Sequence, residues 1–259
     1  MDLPAGPYAS VAREIAGTAF GSIAYVEETA STNADAAELL DDDRFGGHTI
    51  VAEFQRRGAG RKGRLWLAAA GTALLFTTIL PRTIETRNLW IVPYWVALAV
   101  RGALRDFGIK TTLQWPNDLL LGARKIAGIL CQSSVIAERA RVACGVGVNV
   151  KRPGAGVDIE PAPAFCDEVA TVDRAALLKG ILLEYDRTLG MLDRPGPVAA
   201  AWDDAAELPG RIYHIAPDDT GVAFEAVAQG LANDGGLRIV RKDGRNEIVA
   251  LADVRVVRP

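Results

Sequence analysis

The chain has 259 residues and a hydrophobic fraction of 49%, which suits one large domain or a large domain with a small companion. Its 29 Lys and Arg nearly balance 32 Asp and Glu, so the formal net charge is −3 and the isoelectric point is near 5.5. A dedicated nucleic-acid-binding protein is usually basic overall, so this charge balance disfavours that class.

Cysteines, histidines and apolar runs exclude further classes. The three cysteines, Cys131, Cys144 and Cys166, form no C-x-x-C pair, and an odd count without a secretion signal indicates a reducing compartment. The two histidines lack paired ligand spacing, which argues against a structural zinc site. The most apolar stretch, 88–104, contains Pro93 and Arg101 and is too short to span a bilayer. We therefore expect a cytoplasmic protein with no membrane segment.

In the first half of the chain, strand patterns alternate with helix patterns. Ser31 or Thr32 can cap one helix, and Gly108 closes another. The predicted strands are 22–30, 48–54 and 71–81, and the predicted helices are 10–17, 33–42 and 87–107.

From residue 110 onward, short strands follow one another, and a third long helix is predicted at 173–192. This series predicts an α+β fold in which the helices pack on an antiparallel or mixed sheet. The segment 151–167 is rich in Pro and Gly and is predicted to be a long loop of the kind that forms lids or binding segments. The composition then changes, which predicts two domains, 1–206 and 207–259, the second a small SH3-like β-barrel.

The segment FQRRGAGRKGRLWL (54–67) has its glycines in the G-x-G-x-x-G spacing of dinucleotide-binding turns. Such a turn needs a helix directly after the third glycine, but Gly71 interrupts any helix that follows Gly63. The Walker pattern also fails, because Lys62 precedes Gly63 and no Ser or Thr follows a Gly-Lys pair. We interpret the segment as a flexible loop whose guanidinium groups close on an anion such as the phosphates of ATP.

Three further segments carry polar groups at turns or glycines on a strand. In ETASTN (28–33), hydroxyl groups stand at a helix N-terminus, where they either bind a ligand or cap the helix. In WPNDLLLGARK (115–125), Asp118 and Lys125 either face one ligand across a hairpin or form an Asx turn beside a solvated lysine. In GVGVNV (145–150), the alternating glycines either admit a close-packed group or mark a bulge.

Taken together, the four segments resemble biotin protein ligases, the enzymes that attach biotin to carboxylase carrier domains. The matching motifs, in the family's order, are Ser31-Thr32-Asn33, Gly58-Ala59-Gly60-Arg61-Lys62-Gly63-Arg64-Leu65-Trp66, Trp115-Pro116-Asn117-Asp118, Lys125-Ile126-Ala127-Gly128-Ile129-Leu130 and Gly145-Val146-Gly147-Val148-Asn149. Each motif is weak alone, but five in the family's order are specific. The resemblance covers about 22–258 and implies a class II synthetase-like catalytic domain followed by the SH3-like module.

The resemblance implies a reaction in two steps. Biotin and ATP give biotinyl-5′-AMP, and a lysine of a biotin carboxyl carrier protein then takes the biotin. Mg²⁺ is expected to arrive mainly on the ATP phosphates, with no protein ligands assigned. The implied catalytic residues are Arg61, Lys125 and Asp118. The implied biotin-binding residues are Ser31, Thr32, Asn33, Gln55, Gly58, Arg61, Lys125, Gly128, Gly145 and Gly147. The implied ATP- and adenylate-binding residues are Arg61, Arg64, Trp66, Asn117, Lys125 and Asn149.

Two residues depart from the family pattern, because Ala59 and Gln114 stand where an arginine and a lysine are usual. Too few residues precede the first strand for a helix-turn-helix unit, so we expect the monofunctional form without DNA binding, as a monomer or a homodimer. Two alternatives stay open. A lipoate-protein ligase shares the fold and the adenylation chemistry, and a non-catalytic biotin sensor shares the binding site.

Overall fold

The computed structural model describes residues 4–154, 161–217, 223–250 and 254–257 of the chain. Its α-helices are α1 (Ala9–Glu14), α2 (Thr32–Leu39), α3 (Val92–Asp106), α4 (Arg174–Thr188) and α5 (Pro195–Ala205). Short 3₁₀ turns lie at Gly6–Tyr8, Asp43–Phe45, Arg61–Gly63, Thr86–Ile91, Cys166–Glu168 and Leu189–Asp193. None of the helices in the described ranges is long and apolar enough to cross a membrane.

The larger of two main sheets has eight strands, and a separate two-stranded hairpin lies beside it. Its strands are β1 (Ser22–Thr29), β2 (His48–Gln55), β5 (Ala73–Ile79), β6 (Ile84–Glu85), β7 (Thr112–Gln114), β8 (Asp118–Leu121), β9 (Arg124–Ile136) and β10 (Arg139–Asn149), and the hairpin is β3 (Gly58–Ala59) with β4 (Leu65–Trp66). The order is β1-β2-β5-β10-β9-β8-β7, with β6 beside β10. Only the β1–β2 pair is parallel among these strands, so the predicted mixed sheet is confirmed.

Helices cover both faces of this sheet, which explains why every residue of β5 is buried. Helices α3 and α4 pack on one face over the main apolar core. Helix α2 packs on the other face, with Ala36 and Leu40 against Ile50 of β2 and Ile79 of β5. Because side chains alternate along a strand, residues two apart in β5 and β10 face the same side. The odd-numbered residues of both strands lie on the α2 side.

The two long helices are shorter than predicted because 3₁₀ turns take over their ends. Helix α3 begins at Val92, after the 3₁₀ turn Thr86–Ile91, and has Pro93 in its first turn, where a missing N–H costs nothing. Helix α4 is capped by Asp173, whose side chain accepts a bond from the N–H of Ala176. Trp95 of α3 joins the two helices, because its ring stacks on Tyr185 of α4 with centroids 4.6 Å apart.

Helix α5 is absent from the predicted elements. It begins at Pro195 and contains Gly196 and Pro197, which are typical turn residues. In the structure these prolines occupy the first turn of the helix, a position that favours proline. Trp202 then buries its side chain against Tyr94 of α3, with ring centroids 5.2 Å apart.

The second sheet is antiparallel, as expected for an SH3-like module, and we call it the C-terminal sheet. Its strands are β11 (Ile212–Pro217), β12 (Phe224–Leu231), β13 (Leu237–Arg241), β14 (Asn246–Val249) and β15 (Val254–Val257), in the order β14-β13-β12-β11-β15. The Gly235 carbonyl, in the β12–β13 turn, accepts bonds from Tyr94 Oη at 2.5 Å and Trp115 Nε1 at 3.1 Å. This turn therefore attaches the C-terminal sheet to the first part of the chain.

The docking turn yields a stability prediction. Gly235 has φ +82°, and a Cβ there would lie 3.2 Å from Trp90 Cβ and from Tyr94 Cε2. We expect Gly235→Ala to lower the free energy of unfolding by about 1–2 kcal/mol for the positive φ and by about 1–3 kcal/mol more for the crowding.

Gly244→Ala is the matched control, since its φ is +84° and a Cβ there meets nothing within 4 Å. Urea unfolding of both variants separates crowding from backbone strain. Equal losses in the two variants would contradict the close packing of this turn.

Candidate functional site

A cavity of about 540 Å³ lies on the α2 side of the larger sheet. Its floor is formed by β5, β9 and β10, and its wall by the N-terminus of α2 and by residues 56–72, which we call the basic loop. The structure brings nearly all of the sequence-predicted site residues to this cavity: Ser31, Thr32, Asn33, Gln55, Arg61, Arg64, Trp66, Asn117, Asp118, Lys125, Gly128, Gly145, Gly147 and Asn149. Gly58 is the exception, since it is buried behind the lining residues.

One end of the cavity is built from uncharged polar groups at the start of α2. The Gln55 Oε1 atom accepts bonds from the backbone N–H of Thr32 at 2.7 Å and from its hydroxyl at 3.1 Å. Gln55 therefore accepts a hydrogen bond from an N–H group that has no partner within the helix. Ser31 stands at the N-cap, but its side chain makes no capping bond. The interpretation of Ser31 as a simple helix cap is thus wrong.

Asn33 is held in a fixed orientation beneath these groups. Its Nδ2 donates to the carbonyl of Leu130 at 3.0 Å, and its Oδ1 accepts from Thr77 Oγ1 at 2.6 Å. The same Thr77 oxygen lies 2.8 Å from Thr32 Oγ1. All three side chains are buried, so leaving one of these polar groups unpaired would cost about 1–3 kcal/mol.

The glycines of β10 explain how Asn33 fits against the sheet. A Cβ on Gly145 would lie 1.9 Å from Asn33 Oδ1, far inside contact distance. Close approach of a side chain therefore requires glycine here, as the strand pattern predicted. The pairing of β10 with β5 is regular from Ala143 to Asn149, so the alternative of a bulge at these glycines is wrong.

At the other end of the cavity, charged groups meet. Lys125 Nζ lies 2.7 Å from Asp118 Oδ1, and both side chains are largely buried. The predicted juxtaposition across the β8–β9 hairpin is therefore confirmed, and the alternative of a solvated lysine is wrong. Asn117 Nδ2 donates to the carbonyl of Ile129 in β9 at 2.6 Å. This bond anchors to β9 the turn that precedes Asp118. With Arg61 and Arg64 also lining the cavity, cations outnumber carboxylates among its described residues.

The basic loop is not helical after Gly63, in agreement with the rejection of a dinucleotide-binding turn. Instead it contains the small hairpin of β3 and β4, with a 3₁₀ turn at Arg61–Gly63 between them. Lys62 and Gly63 have positive φ values of 56° and 71°, and the N–H of Gly60 donates to the carbonyl of Arg64 at 2.8 Å. The loop thus contains regular hydrogen-bonded structure that its glycine content did not predict.

Trp66 of the basic loop covers the glycine-lined floor. A Cβ on Gly147 would lie 2.6 Å from Trp66 Cε2, and one on Gly128 would lie 3.0 Å from Trp66 Cζ3. The ammonium group of Lys125 lies 5.1 Å from the indole centroid, within the range of cation–π attraction. Trp66 Nε1 is buried and has no hydrogen-bond partner among the described residues.

Residues 161–168 close the cavity beside Asn149. Asn149 Nδ2 donates to the carbonyl of Ala164 at 3.2 Å. Arg124 donates to the carbonyl of Pro163 at 3.0 Å and to Glu168 Oε1 at 3.1 Å, and its hydrogen bonds lower the pKa of Glu168. Residues 155–160 of the predicted binding loop lie outside the described part of the chain.

Several residues of the site were not predicted, and their signals differ. Thr77 supports Thr32 and Asn33 from beneath the polar end, but its sequence pattern is the same as that of the other β-branched residues in β5. Leu75 supplies an apolar wall that no motif distinguishes from ordinary core, whereas Leu130 and Val146 lie inside matched motifs but were assigned no role. Ala59 and Gln114, which depart from the family pattern, both line the cavity, so their replacement of basic residues lowers its positive charge.

The donor set does not form a metal cage. Among the residues that the structure describes, no group of three or more His, Cys, Asp and Glu side chains could hold a metal ion. Asp118 is the carboxylate among the described lining residues. Because Mg²⁺ often keeps its waters and binds one or two carboxylates together with phosphates, Asp118 is the residue of this set that would hold it.

Comparisons with known proteins agree with this geometry. Residues 25–149 match the sequence model of the Biotin/lipoate A/B protein ligase family. The biotin–[acetyl-CoA-carboxylase] ligase of Mycobacterium tuberculosis is 30% identical over 263 residues, covering 92% of this chain and 90% of that protein. The bifunctional ligase/repressor BirA of Bacillus spizizenii is 26% identical over 245 residues, covering 90% of this chain and 73% of that protein.

A solved structure shows the same fold. The biotin protein ligase of Aquifex aeolicus, in complex with biotin and ATP, superposes with a TM-score of 0.74 at 21% identity. The match covers 92% of this chain and 99% of that one. With this coverage the match includes both main sheets, so the α+β fold and the antiparallel C-terminal sheet are shared.

The contact between Asn33 and Gly145 gives a prediction that needs no ligand. We expect Gly145→Ala to lower the free energy of unfolding by about 1–3 kcal/mol, because the new methyl group must displace the Asn33 amide. In the Asn33→Ala background the same substitution should cost much less. Urea unfolding of the two single variants and the double variant measures this coupling. Strict additivity of the two losses would contradict the contact.

Proposed function

Because the chain belongs to the biotin/lipoate A/B protein ligase family, we propose that it is an ATP-dependent biotin protein ligase. The observation that carries this proposal is the division of one cavity into two ends. Uncharged groups of Thr32, Asn33 and Gln55 line one end, and cations beside Asp118 line the other. Biotin has the same division, since a neutral ring system with hydrogen-bonding groups is joined by an apolar chain to a carboxylate.

At the uncharged end, the residues we assign to the biotin head are those that the fold already orients. Gln55 Oε1 accepts two bonds from Thr32, which fixes the direction of its amide. A ring system held by fixed donors and acceptors loses affinity sharply when one partner is removed, because the remaining polar group stays buried and unpaired. Gly147 allows the ligand to approach the backbone of β10.

At the charged end, the first step joins two anions. A carboxylate oxygen of biotin attacks the α-phosphorus of ATP, the bond to pyrophosphate breaks, and biotinyl-5′-AMP forms. Lys125 and Arg61 would offset the repulsion between the carboxylate and the phosphate, and such fixed charges act strongly in a site that excludes water. Mg²⁺ bound to the phosphates would supply further charge neutralisation.

In the second step, a carrier lysine replaces AMP. Its uncharged ε-amine attacks the carbonyl carbon of the mixed anhydride, an amide bond forms, and the bond to the phosphate oxygen breaks. Asp118 is our candidate to accept the amine proton, because it lies beside Lys125 at the charged end. The relatives' names give acetyl-CoA carboxylase as the protein that they modify, and we propose the biotin carboxyl carrier protein of that enzyme as the acceptor here.

Biotin-dependent pyrophosphate release tests the proposal. The protein is mixed with labelled ATP, Mg²⁺ and either biotin or lipoate, and pyrophosphate and the adenylate are measured. Release with biotin supports the ligase. Release with lipoate alone would identify the sister activity of the same family, and biotin binding without release would identify a sensor.

Lys125→Met should lower the rate of adenylate formation by about 10²-fold or more, because one fixed cation facing the developing charge is lost. Lys110→Met is the matched control, since Lys110 is exposed and does not line the cavity. A single-turnover measurement with saturating ATP isolates this step. If Lys125→Met kept the rate of the control, the role assigned to Lys125 would be wrong.

Thr77→Val should weaken biotin binding about tenfold, because the valine cannot bond to Thr32 or Asn33 at the uncharged end. Thr78→Val is the control on the opposite face of β5, where Thr78 pairs with Thr49 at 2.9 Å. Both variants should lose stability, but only the first should lose affinity in isothermal titration with biotin. Equal affinities would refute the assignment of the uncharged end to biotin.

A further inference from the structure

The two ends of the basic loop lie side by side in the sheet. The loop leaves β2 after Gln55 and returns to β5 at Ala73, and these strands are antiparallel neighbours with Ala52 opposite Leu75. The orientation of the two ends therefore limits where Arg61, Arg64 and Trp66 can reach. Any group that joins the two ends therefore constrains the direction in which the loop leaves the sheet.

Arg174, the first residue of α4, contacts both ends from the opposite face of the sheet. Its Nη2 donates to Glu53 Oε1 at 3.0 Å and to Glu53 Oε2 at 3.1 Å, just before the loop. Its Nη1 donates to the carbonyl of Ala73 at 3.2 Å, just after the loop. One planar guanidinium group thus joins two strands through three bonds, a geometry that an ammonium group cannot reproduce.

The Glu53 carboxylate of this pair also contacts the backbone of the basic loop. A Cβ on Gly71 would lie 3.1 Å from Glu53 Oε1, so the loop backbone packs directly on the carboxylate, and Gly71 has φ +76°. The next carbonyl, of Thr72, accepts bonds from the N–H groups of Val150 at 2.9 Å and Lys151 at 2.8 Å. These bonds fix the end of the basic loop to the segment that follows β10.

The burial and position of the pair separate it from surface ion pairs. The Arg174 and Glu53 side chains are 24% and 25% exposed, so the attraction between them is screened less than at an open surface. Neither residue is among those that line the cavity. A role in the reaction must therefore act through the basic loop rather than through contact with substrate.

We propose that Arg174 and Glu53 are positioning residues that clamp the base of the basic loop, so that Arg61, Arg64 and Trp66 close on the biotinyl adenylate and retain it. The inference rests on the proposed function for the identity of the retained ligand. It adds a residue pair on the far side of the sheet to the groups that govern adenylate retention.

Retention is measured on the full chain loaded with labelled biotinyl-5′-AMP. Arg174→Met should shorten the half-life of the bound adenylate about tenfold, with the loss in retention exceeding any change in the rate of adenylate formation. The released adenylate should also label lysines of a bystander protein such as serum albumin. Arg174→Lys should recover part of the retention, because an ammonium group can reach one of the two loop ends.

Arg82→Met is the matched control. Arg82 donates from Nη1 to Asp193 at 2.9 Å and from Nη2 to the carbonyl of Leu189 at 3.4 Å, so it also bonds to a carboxylate and a main-chain carbonyl near α4. It lies beyond the other end of β5, away from the basic loop. A purely structural role for Arg174 would give both variants the same retention when compared at equal folded fraction.

Limited trypsin digestion tests the clamp without biotin. The loop carries cleavage sites at Arg56, Arg57, Arg61, Lys62 and Arg64. Arg174→Met should speed cleavage there, as judged by mass spectrometry, whereas Arg82→Met should not. Wild-type retention and cleavage in Arg174→Met would overturn the inference. Failure of the wild-type protein to form the adenylate would refute the proposed function instead, and the trypsin result alone would then decide the clamp.

Discussion

The cavity depends on one constraint, which is the absence of side chains on part of the sheet surface. Gly145 accepts the Asn33 amide, and Gly147 accepts the Trp66 ring, at distances that no Cβ atom could tolerate, and a Cβ on Gly128 would lie only 3.0 Å from the same ring. Because β9 and β10 are paired residue by residue, these glycines form one continuous depression rather than scattered gaps. The close approach of the start of α2 to the sheet, the position of the basic loop and the depth of the cavity all depend on this surface.

The chain has a net charge of −3, yet cations outnumber carboxylates among the described residues that line the cavity. Lys125 and Asp118 neutralise each other at 2.7 Å in the structure. An incoming carboxylate or phosphate that takes the place of Asp118 beside Lys125 adds a negative charge, which the other cations lining the cavity, Arg61 and Arg64, can offset. The clamp of Glu53 and Arg174 works on the same principle, since the two charges balance each other while their geometry sets the direction of the loop.

Local patterns predicted most of the elements, because strand alternation, glycines and turn residues report on local backbone needs, and the family resemblance supplied about half of the lining residues. Gly145 and Gly147 were correctly interpreted as a surface for close approach, and the absence of a helix after Gly63 was correctly inferred from Gly71. Helix α5 was missed because Pro195 and Pro197 are equally suited to a turn and to a helix start. Thr77 and Arg174 were missed because their partners lie far away in the sequence, and only the folded sheet brings them together.

The position of Trp66 has a thermodynamic consequence. Its indole ring already shields Gly128 and Gly147 from water. A ligand that binds on this floor replaces the indole ring as the group in contact with the two glycines. The displaced ring can then pack over the ligand. The change in apolar area exposed to water is then smaller than the area of the ligand itself, so the heat-capacity change on binding is correspondingly small. The affinity of such a site arises from the fit of polar groups at its two ends more than from dehydration of its floor.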